Sequence, residues 1–173
     1  MIQSTYFSAS AVTDRTPPTI HSYGVPPLET LRSMSGLAFL EAIIAGRLPS
    51  PPITEVLRFR LVEVGRGRAV FEGTPGRDFY NPIGSVHGGY AATLLDSCMG
   101  CAVHSTLPQG QGYATLEIKV NMVRALTEAT GAVRAEGRIL HTGRTTATAE
   151  GRLTDAAGKL YGHGTTTCAV FGI

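Results

Sequence analysis

The residues best suited to chemistry in this chain lie close together in one apolar stretch. Asp96 is the only formally charged residue between Asp78 and Glu117, in a segment expected to be helical. No cation lies three or four positions away, so no local ion pair can form. Because an unpaired buried carboxylate costs several kcal/mol, we expect Asp96 to lie in a cleft as a catalytic acid or base. The alternative is an acid that bonds backbone or water at a packing seam, or that faces solvent.

The loop that leads into this helix supplies a second candidate group. It reads Asn81-Pro-Ile-Gly-Ser-Val-His87-Gly88-Gly89. The first amides of a helix have no intrahelical partner and lie at the positive end of its dipole, and glycine lets a substrate approach the backbone closely. Such a helix start suits a developing oxyanion, although Gly88 and Gly89 could equally serve only to make the turn.

The spacing of these two groups predicts a dimer. Gly88 and Asp96 are about 12 Å apart along a helix axis. An oxyanion donor and an attacking group must both lie about 3 Å from one carbonyl. Two antiparallel copies of the helix meet this requirement, with Gly88 of one facing Asp96 of the other. We therefore expect a homodimer with two shared sites.

Hydrophobic periodicity indicates the elements that position these groups. It predicts a helix over about 35–47 that Ser35 can cap, a hairpin over about 54–74 and a long apolar helix over about 87–104. Four strands with an apolar face directed inward follow, near 116–122, 133–139, 147–153 and 159–170. This order predicts the α+β class, with one curved antiparallel sheet around one central helix. Residues 1–34, polar and carrying two Pro-Pro pairs, are expected to form a disordered or extended tail before a domain of residues 35–173.

Composition excludes several functional classes. The 173 residues carry 15 Lys and Arg against 13 Asp and Glu, and a net charge of +2 does not indicate binding to nucleic acid or an anionic membrane. No apolar run is long enough for a membrane span and no signal peptide is visible, which predicts a cytoplasmic protein. The histidines lack metal-ligand spacing, and Cys98 and Cys101 are best interpreted as small buried hydrophobes, so we expect no metal or cofactor.

The stretch NPIGSVHGGYAATLLDSCMG resembles the signature of hotdog-fold acyl-CoA thioesterases of the phenylacetate-degradation type. That signature has an Asn, a loop ending in His-Gly-Gly, and an Asp or Glu nine positions after the His, which here is Asp96. The resemblance covers about residues 36–171. It implies a hotdog fold that hydrolyses an aryl- or medium-chain acyl-CoA, with CoA as part of the substrate. It also implies a homodimer or a tetramer built as a dimer of dimers.

The resemblance further implies catalytic roles for five residues. Asp96 would act as nucleophile or as general base for water, and the Gly88 amide would polarise the thioester carbonyl. Asn81 would help to place water or the carbonyl. His87 matches the histidine beside the oxyanion glycine, and Thr115 falls where relatives carry a hydroxyl near the nucleophilic water.

Substrate contacts are implied at Gly89 and at the turn that contains Gly143 and Arg144. Arg144 would be a cation for the CoA phosphates, and a solvated turn is the alternative. Two other functions stay open, namely a non-catalytic acyl-CoA binding or sensor module and a hotdog dehydratase acting on hydroxyacyl thioesters. A lipase-type esterase would need a G-x-S-x-G elbow, which the chain lacks.

Overall fold

Six antiparallel strands and one long helix dominate the computed structural model, which describes residues 22–173. The helices in this part of the chain are α1 (Leu28–Arg32), α2 (Gly36–Ile44), α3 (Pro52–Val56) and α4 (Gly88–His104). The strands are β1 (Phe59–Gly65), β2 (Arg68–Gly73), β3 (Gln111–Met122), β4 (Val133–Thr142), β5 (Thr146–Asp155) and β6 (Leu160–Gly172). They form one antiparallel sheet in the order β1-β2-β4-β5-β6-β3. None of the helices among residues 22–173 is long and apolar enough to cross a membrane.

Local signals explain where the first helices begin and end. The Ser35 side chain accepts a hydrogen bond from the Ala38 amide and so caps α2, as predicted. The helix ends at Ile44 rather than at residue 47, because Gly46 takes a left-handed φ of 68°. The short helix α3 was not predicted. Its first residue is Pro52, whose fixed φ suits the first position of a helix.

The core lies between α4 and the sheet, and the helix backbone sits directly on strand β4. A Cβ added at Gly137 of β4 would lie 2.2 Å from the carbonyl oxygen of Cys98. This close approach requires glycine and sinks α4 into the sheet. Leu94, Leu95 and Met99 are fully buried there, and each stabilises the fold by about 1.5–3 kcal/mol through burial of its side chain. The close packing of α4 on the sheet therefore fixes the distance from the sheet of the residues on the other faces of the helix.

The edge strand β3 departs from the predicted pattern. Leu116, Ile118 and Met122 were expected to point into the core, yet they are 67%, 38% and 50% exposed. The prediction is wrong for the single chain because β3 lies at the end of the sheet and α4 covers it incompletely. The register also shifts between Thr115 and Glu117, which places Leu116 at an irregularity. An apolar strand edge is therefore left open to a partner.

Part of the predicted tail also differs from the prediction. Residues 1–21 lie outside the described part of the chain. Residues 28–32 form the single helical turn α1, and Tyr23 makes a parallel bridge with Ser50. The Gly24 amide donates to the Ser50 carbonyl at 2.9 Å, which ties this segment to the chain before α3. Residues 22–34 are therefore partly helical rather than wholly extended.

A buried histidine at the end of α4 predicts acid sensitivity. His104 is 6% exposed, packs edge-on against Phe39 and beside Tyr113, and has no hydrogen-bond partner at either ring nitrogen among the described residues. Burial lowers its pKa from 6.5 to about 4. Between these values the unfolded chain binds a proton that the folded chain does not, so stability falls as the pH falls through this range.

We expect this histidine to remove about 2 kcal/mol of unfolding free energy between pH 7 and pH 5. Urea unfolding of the wild type and of His104→Leu at both pH values measures the effect, because leucine cannot titrate. The pH-dependent loss should be smaller in His104→Leu by that amount. An identical loss in the two proteins would contradict the assignment.

Candidate active site

The loop before α4 is held together by the side chain of one asparagine. Asn81 Oδ1 accepts hydrogen bonds from the amides of Ile83 at 3.1 Å and Ser85 at 3.2 Å. Its Nδ2 donates to Ser85 Oγ at 3.1 Å, and its own amide donates to the Ser85 carbonyl at 2.7 Å. These bonds form a compact turn of the kind that asparagine favours. In this structure Asn81 therefore positions the loop, and its predicted contact to water or to the carbonyl stays a prediction.

His87 caps the helix that this loop enters. Its Nδ1 accepts a hydrogen bond from the Gly89 amide at 2.9 Å, and its own amide donates to the Phe79 carbonyl at 2.7 Å. An accepting Nδ1 assigns the ring proton to Nε2 in the neutral imidazole. The histidine thereby satisfies the second helical amide. The first, that of Gly88, has no hydrogen-bond partner among the described residues.

A cavity of about 320 Å³ opens at this helix start. Its wall includes Asn81, Ser85, His87 and Gly88 around the helix start, Met122 at the end of β3 and residues of the chain that follows β3. Met122 packs directly on Gly88, because a Cβ added to the glycine would lie 2.6 Å from the Met122 sulfur. The free Gly88 amide therefore lies in a concave site at the positive end of a 17-residue helix.

Asp96 lies farther along α4, between the helix and the edge strand. Thr115 Oγ1 donates a hydrogen bond to Asp96 Oδ1 at 3.0 Å. The expectation of a buried carboxylate without a partner is wrong in the single chain, since Asp96 is only half-buried and Thr115 is its partner. The physical reason is its place beside the open edge of the sheet, where β3 supplies a hydroxyl but little cover. The structure thus brings Asp96 and Thr115 together, while the expected place of the Thr115 hydroxyl near the nucleophilic water stays a prediction.

Thiols and a phenol lie behind this carboxylate. Burial raises the pKa of Cys98 and raises that of Cys101 to about 12, so both thiols stay protonated. Burial likewise raises the pKa of Tyr113, whose hydroxyl would contact a Cβ added at Gly100 at 2.7 Å. Neutral thiols packed in this way behave as small hydrophobes. No group of three or more potential metal ligands occurs within residues 22–173.

Within one chain the predicted site residues fall into separate groups. Gly88 and Asp96 lie on the same helix, about 12 Å apart, which is too far for both to contact one carbonyl. The turn with Gly143 and Arg144 lies near the carboxyl end of α4, where Thr106 Oγ1 is 3.3 Å from Thr142 Oγ1. That end is about 25 Å from Gly88. A single chain therefore leaves the site in three parts.

Arg124 and Tyr161 were missed by sequence analysis, although both line the cavity beside Gly88. Arg124 follows β3 and Tyr161 is the second residue of β6, so both are far from the His-Gly-Gly loop in the chain. No local pattern marks either residue, because their proximity to Gly88 arises only from pairing of β3 with β6. Only the order of the strands could have indicated them.

Parts of the chain are similar to known sequences. Residues 83–161 match the profile of the Thioesterase superfamily. A "putative esterase" of Saccharolobus solfataricus is 30% identical over 108 residues, which cover 62% of this chain and 75% of that protein. A "putative esterase" of Halobacterium salinarum is 39% identical over 69 residues, which cover 39% of this chain and 44% of that protein. The chain thus spans less than half of the halobacterial relative.

Solved structures resemble the chain over most of their own length. A conserved protein from Pseudomonas aeruginosa has 32% identity and a TM-score of 0.65, with 69% of this chain and 94% of that chain covered. A "putative thioesterase, phenylacetic acid degradation-related protein" from Ralstonia eutropha has 26% identity and a TM-score of 0.69, with 76% of this chain and 98% of that chain covered. A Streptococcus mutans protein bound to acetyl CoA has 28% identity and a TM-score of 0.60, with 66% of this chain and 89% of that chain covered. Together with the sheet around α4, these likenesses confirm the predicted hotdog fold.

Proposed function

Because the chain belongs to the thioesterase superfamily, we propose that it hydrolyses an aryl- or medium-chain acyl-CoA to the free acid and CoA. The observation that carries this proposal is the unpartnered Gly88 amide at the start of α4, with a carboxylate, Asp96, on the same helix. Acyl-CoA as the substrate class is supported by the acetyl CoA bound to the Streptococcus mutans relative.

The chemistry requires a stabilised oxyanion and an activated attack. The Gly88 amide donates to the carbonyl oxygen as its negative charge develops, at the positive end of the α4 dipole. Asp96 either takes a proton from the attacking water or attacks the carbonyl carbon itself. In both routes the C–S bond breaks, the CoA thiolate leaves and a proton from water ends on sulfur. In the second route water then hydrolyses the anhydride between the acyl group and Asp96, which releases the acid and regenerates the carboxylate. Because the thiolate is a good leaving group, no strong general acid is needed.

The proposed site is shared between two chains with antiparallel α4 helices. Gly88 of one chain then faces Asp96 of the other, which a single chain cannot arrange. Exposed Leu116 and Ile118 on the open edge of β3 support this pairing, because such an edge readily adds a strand.

The proposed pairing also bears on the turn that contains Arg144, which lies near the carboxyl end of α4. Asp96 is about 12 Å from that end of the helix, whereas Gly88 of the same chain is about twice as far from it. Pairing therefore brings the Arg144 turn nearer to the reacting carbonyl. Assembly of two dimers into a tetramer stays a prediction.

We predict that Ile118→Glu yields a monomer of 18.2 kDa with almost no hydrolase activity. A carboxylate on the β3 edge would be buried without a partner in the dimer, which costs several kcal/mol. Light scattering after gel filtration gives the mass, and thiol release gives the rate. Leu140→Glu is the matched control, since Leu140 is also an exposed apolar residue on a strand. A fully active Ile118→Glu monomer would contradict the shared site.

A panel of acyl-CoA thioesters tests the function itself. Aryl- and alkyl-CoA substrates are incubated with the protein, and free thiol is followed with a thiol reagent. Thiol release supports the hydrolase and ranks the acyl groups. A change in enoyl absorbance without thiol release, when a 3-hydroxyacyl-CoA is added to the panel, would instead identify a dehydratase. A ligand-induced melting shift without turnover would identify a sensor.

A further inference from the structure

We propose that Thr166 of β6 is a positioning residue, which holds the bulge in β3 and thereby directs the Thr115 hydroxyl to Asp96. This inference rests on the proposed function, because Thr166 would act on the carboxylate only through Thr115. Thr166 does not line the cavity at the start of α4. It is only 2% exposed, although threonine is found mostly at protein surfaces.

The pairing of β3 with β6 shows which side chains of β3 face α4. Thr115 lies opposite Cys168 and Ile118 lies opposite Thr166, and both of these β6 residues are buried. The two β6 residues are two positions apart, as successive residues on one face of a strand must be. Their β3 partners are three positions apart, because Leu116 is the extra residue of a bulge and has no partner in the register.

The bulge allows Thr115 and Ile118 to face the same side of the sheet. In a regular strand with Ile118 directed toward α4, Thr115 would point to the outer face, away from Asp96. The hydrogen bond of 3.0 Å from Thr115 Oγ1 to Asp96 Oδ1 therefore depends on the bulge. Bulges next to active sites often redirect a side chain in this way.

The side chain of Thr166 is bonded to the bulge itself. Its Oγ1 donates a hydrogen bond to the Glu117 carbonyl at 2.9 Å, directly after the extra residue. The same Oγ1 lies 3.9 Å from Sγ of Cys168, the residue paired with Thr115. The bond to the Glu117 carbonyl fixes the backbone just beyond Leu116 and so stabilises the bulged register.

Kinetics of two variants at this position test the role of the hydroxyl. Thr166→Val keeps nearly the same shape but has no O–H, and we expect kcat for acyl-CoA hydrolysis to fall about threefold to tenfold with little change in KM. Thr166→Ser keeps the donor and should retain most of the rate. Thr165→Val, the same change at an exposed neighbouring position of β6, should alter neither parameter.

Two outcomes of these kinetics would overturn the proposal. An unchanged kcat in Thr166→Val would show that the hydroxyl has no part in positioning. Equal losses in Thr166→Val and Thr166→Ser would show that only the packing of the side chain matters.

Combining Thr166→Val with Thr115→Val distinguishes positioning from general damage. If Thr166 acts through the Thr115 hydroxyl, its substitution should cost no further kcat once that hydroxyl is gone. Losses that multiply in the double variant would show that Thr166 acts by another route, and the proposal would fail.

Crystal structures of the wild type and of Thr166→Val separate this inference from the hydrolase proposal, because they require no turnover. We expect the variant to lose the hydrogen bond between Thr115 and Asp96. If that bond were lost while the wild type hydrolysed no thioester, Thr166 would still position Thr115 and only the hydrolase function would fail. An intact bulge with the bond still at 3.0 Å would overturn the inference whatever the activity.

Discussion

Replacing Asp96 by asparagine should lower kcat for acyl-CoA hydrolysis by about 10²–10⁴-fold without unfolding the protein. Asparagine has nearly the same shape, and its Oδ1 can still accept the Thr115 hydrogen bond seen at 3.0 Å. It can neither take a proton from water nor attack a carbonyl carbon. Because Asp96 is only half-buried, the substitution leaves no cavity. Steady-state kinetics gives the loss, and thermal melting shows whether the fold persists.

Two further variants define what the carboxylate does. Ser97→Ala, one position along the helix and also half-buried, is the control and should keep near-normal activity. Thr115→Val should cost less than Asp96→Asn, because it removes an orienting hydrogen bond and leaves the carboxylate in place. If Asp96→Asn kept most of the wild-type rate, the acid would have no part in the chemistry.

Gly88→Pro should lower kcat by about 10²–10³-fold, because proline has no N–H to donate to the oxyanion. The local structure accepts this substitution. Gly88 is the first residue of α4, where proline is favoured, and His87 already has φ −58° and ψ 136°, which suit a residue before proline. The ring would meet the flexible end of Met122, which can move. The hydrogen bond from Gly89 to His87 is retained.

Gly88→Ala separates the loss of the amide from the effect of added bulk. Alanine adds a Cβ at the same place, 2.6 Å from the present position of the Met122 sulfur, but keeps the N–H. We expect Gly88→Ala to be much more active than Gly88→Pro in the thiol-release assay. Equal rates for the two variants would show that the amide contributes nothing and that only space matters.

The parts of the fold encoded by local patterns could be predicted from the sequence. The central helix was expected over about 87–104 and is found at Gly88–His104, because its apolar run is bounded by glycines at one end and by the Pro108 turn at the other. The Ser35 cap and the alternating strands followed the same logic. The His-Gly-Gly loop was placed correctly at the helix start for the same reason.

Features that depend on contacts between distant segments could not be predicted in this way. Thr115 is 19 residues from Asp96, and their hydrogen bond exists only because β3 packs beside α4. The exposure of Ile118 reflects the position of β3 at the edge of the sheet, which periodicity alone does not encode. No local sequence pattern marks Arg124 as a residue of the cavity either. Its place beside Gly88 results from the bonds that join the chain after β3 to Tyr161.

The central claim is that each active site combines Gly88 of one chain with Asp96 of its partner, and mixing two inactive variants tests it most directly. Asp96→Asn and Gly88→Pro are unfolded together, refolded at equal concentration and assayed for thiol release. A mixed dimer then contains one site with both functional groups intact, so random pairing should restore about a quarter of the wild-type rate. If the mixture stayed as inactive as the two separate variants while mixed dimers were shown to form, the two groups would act within one chain and the shared site would be wrong.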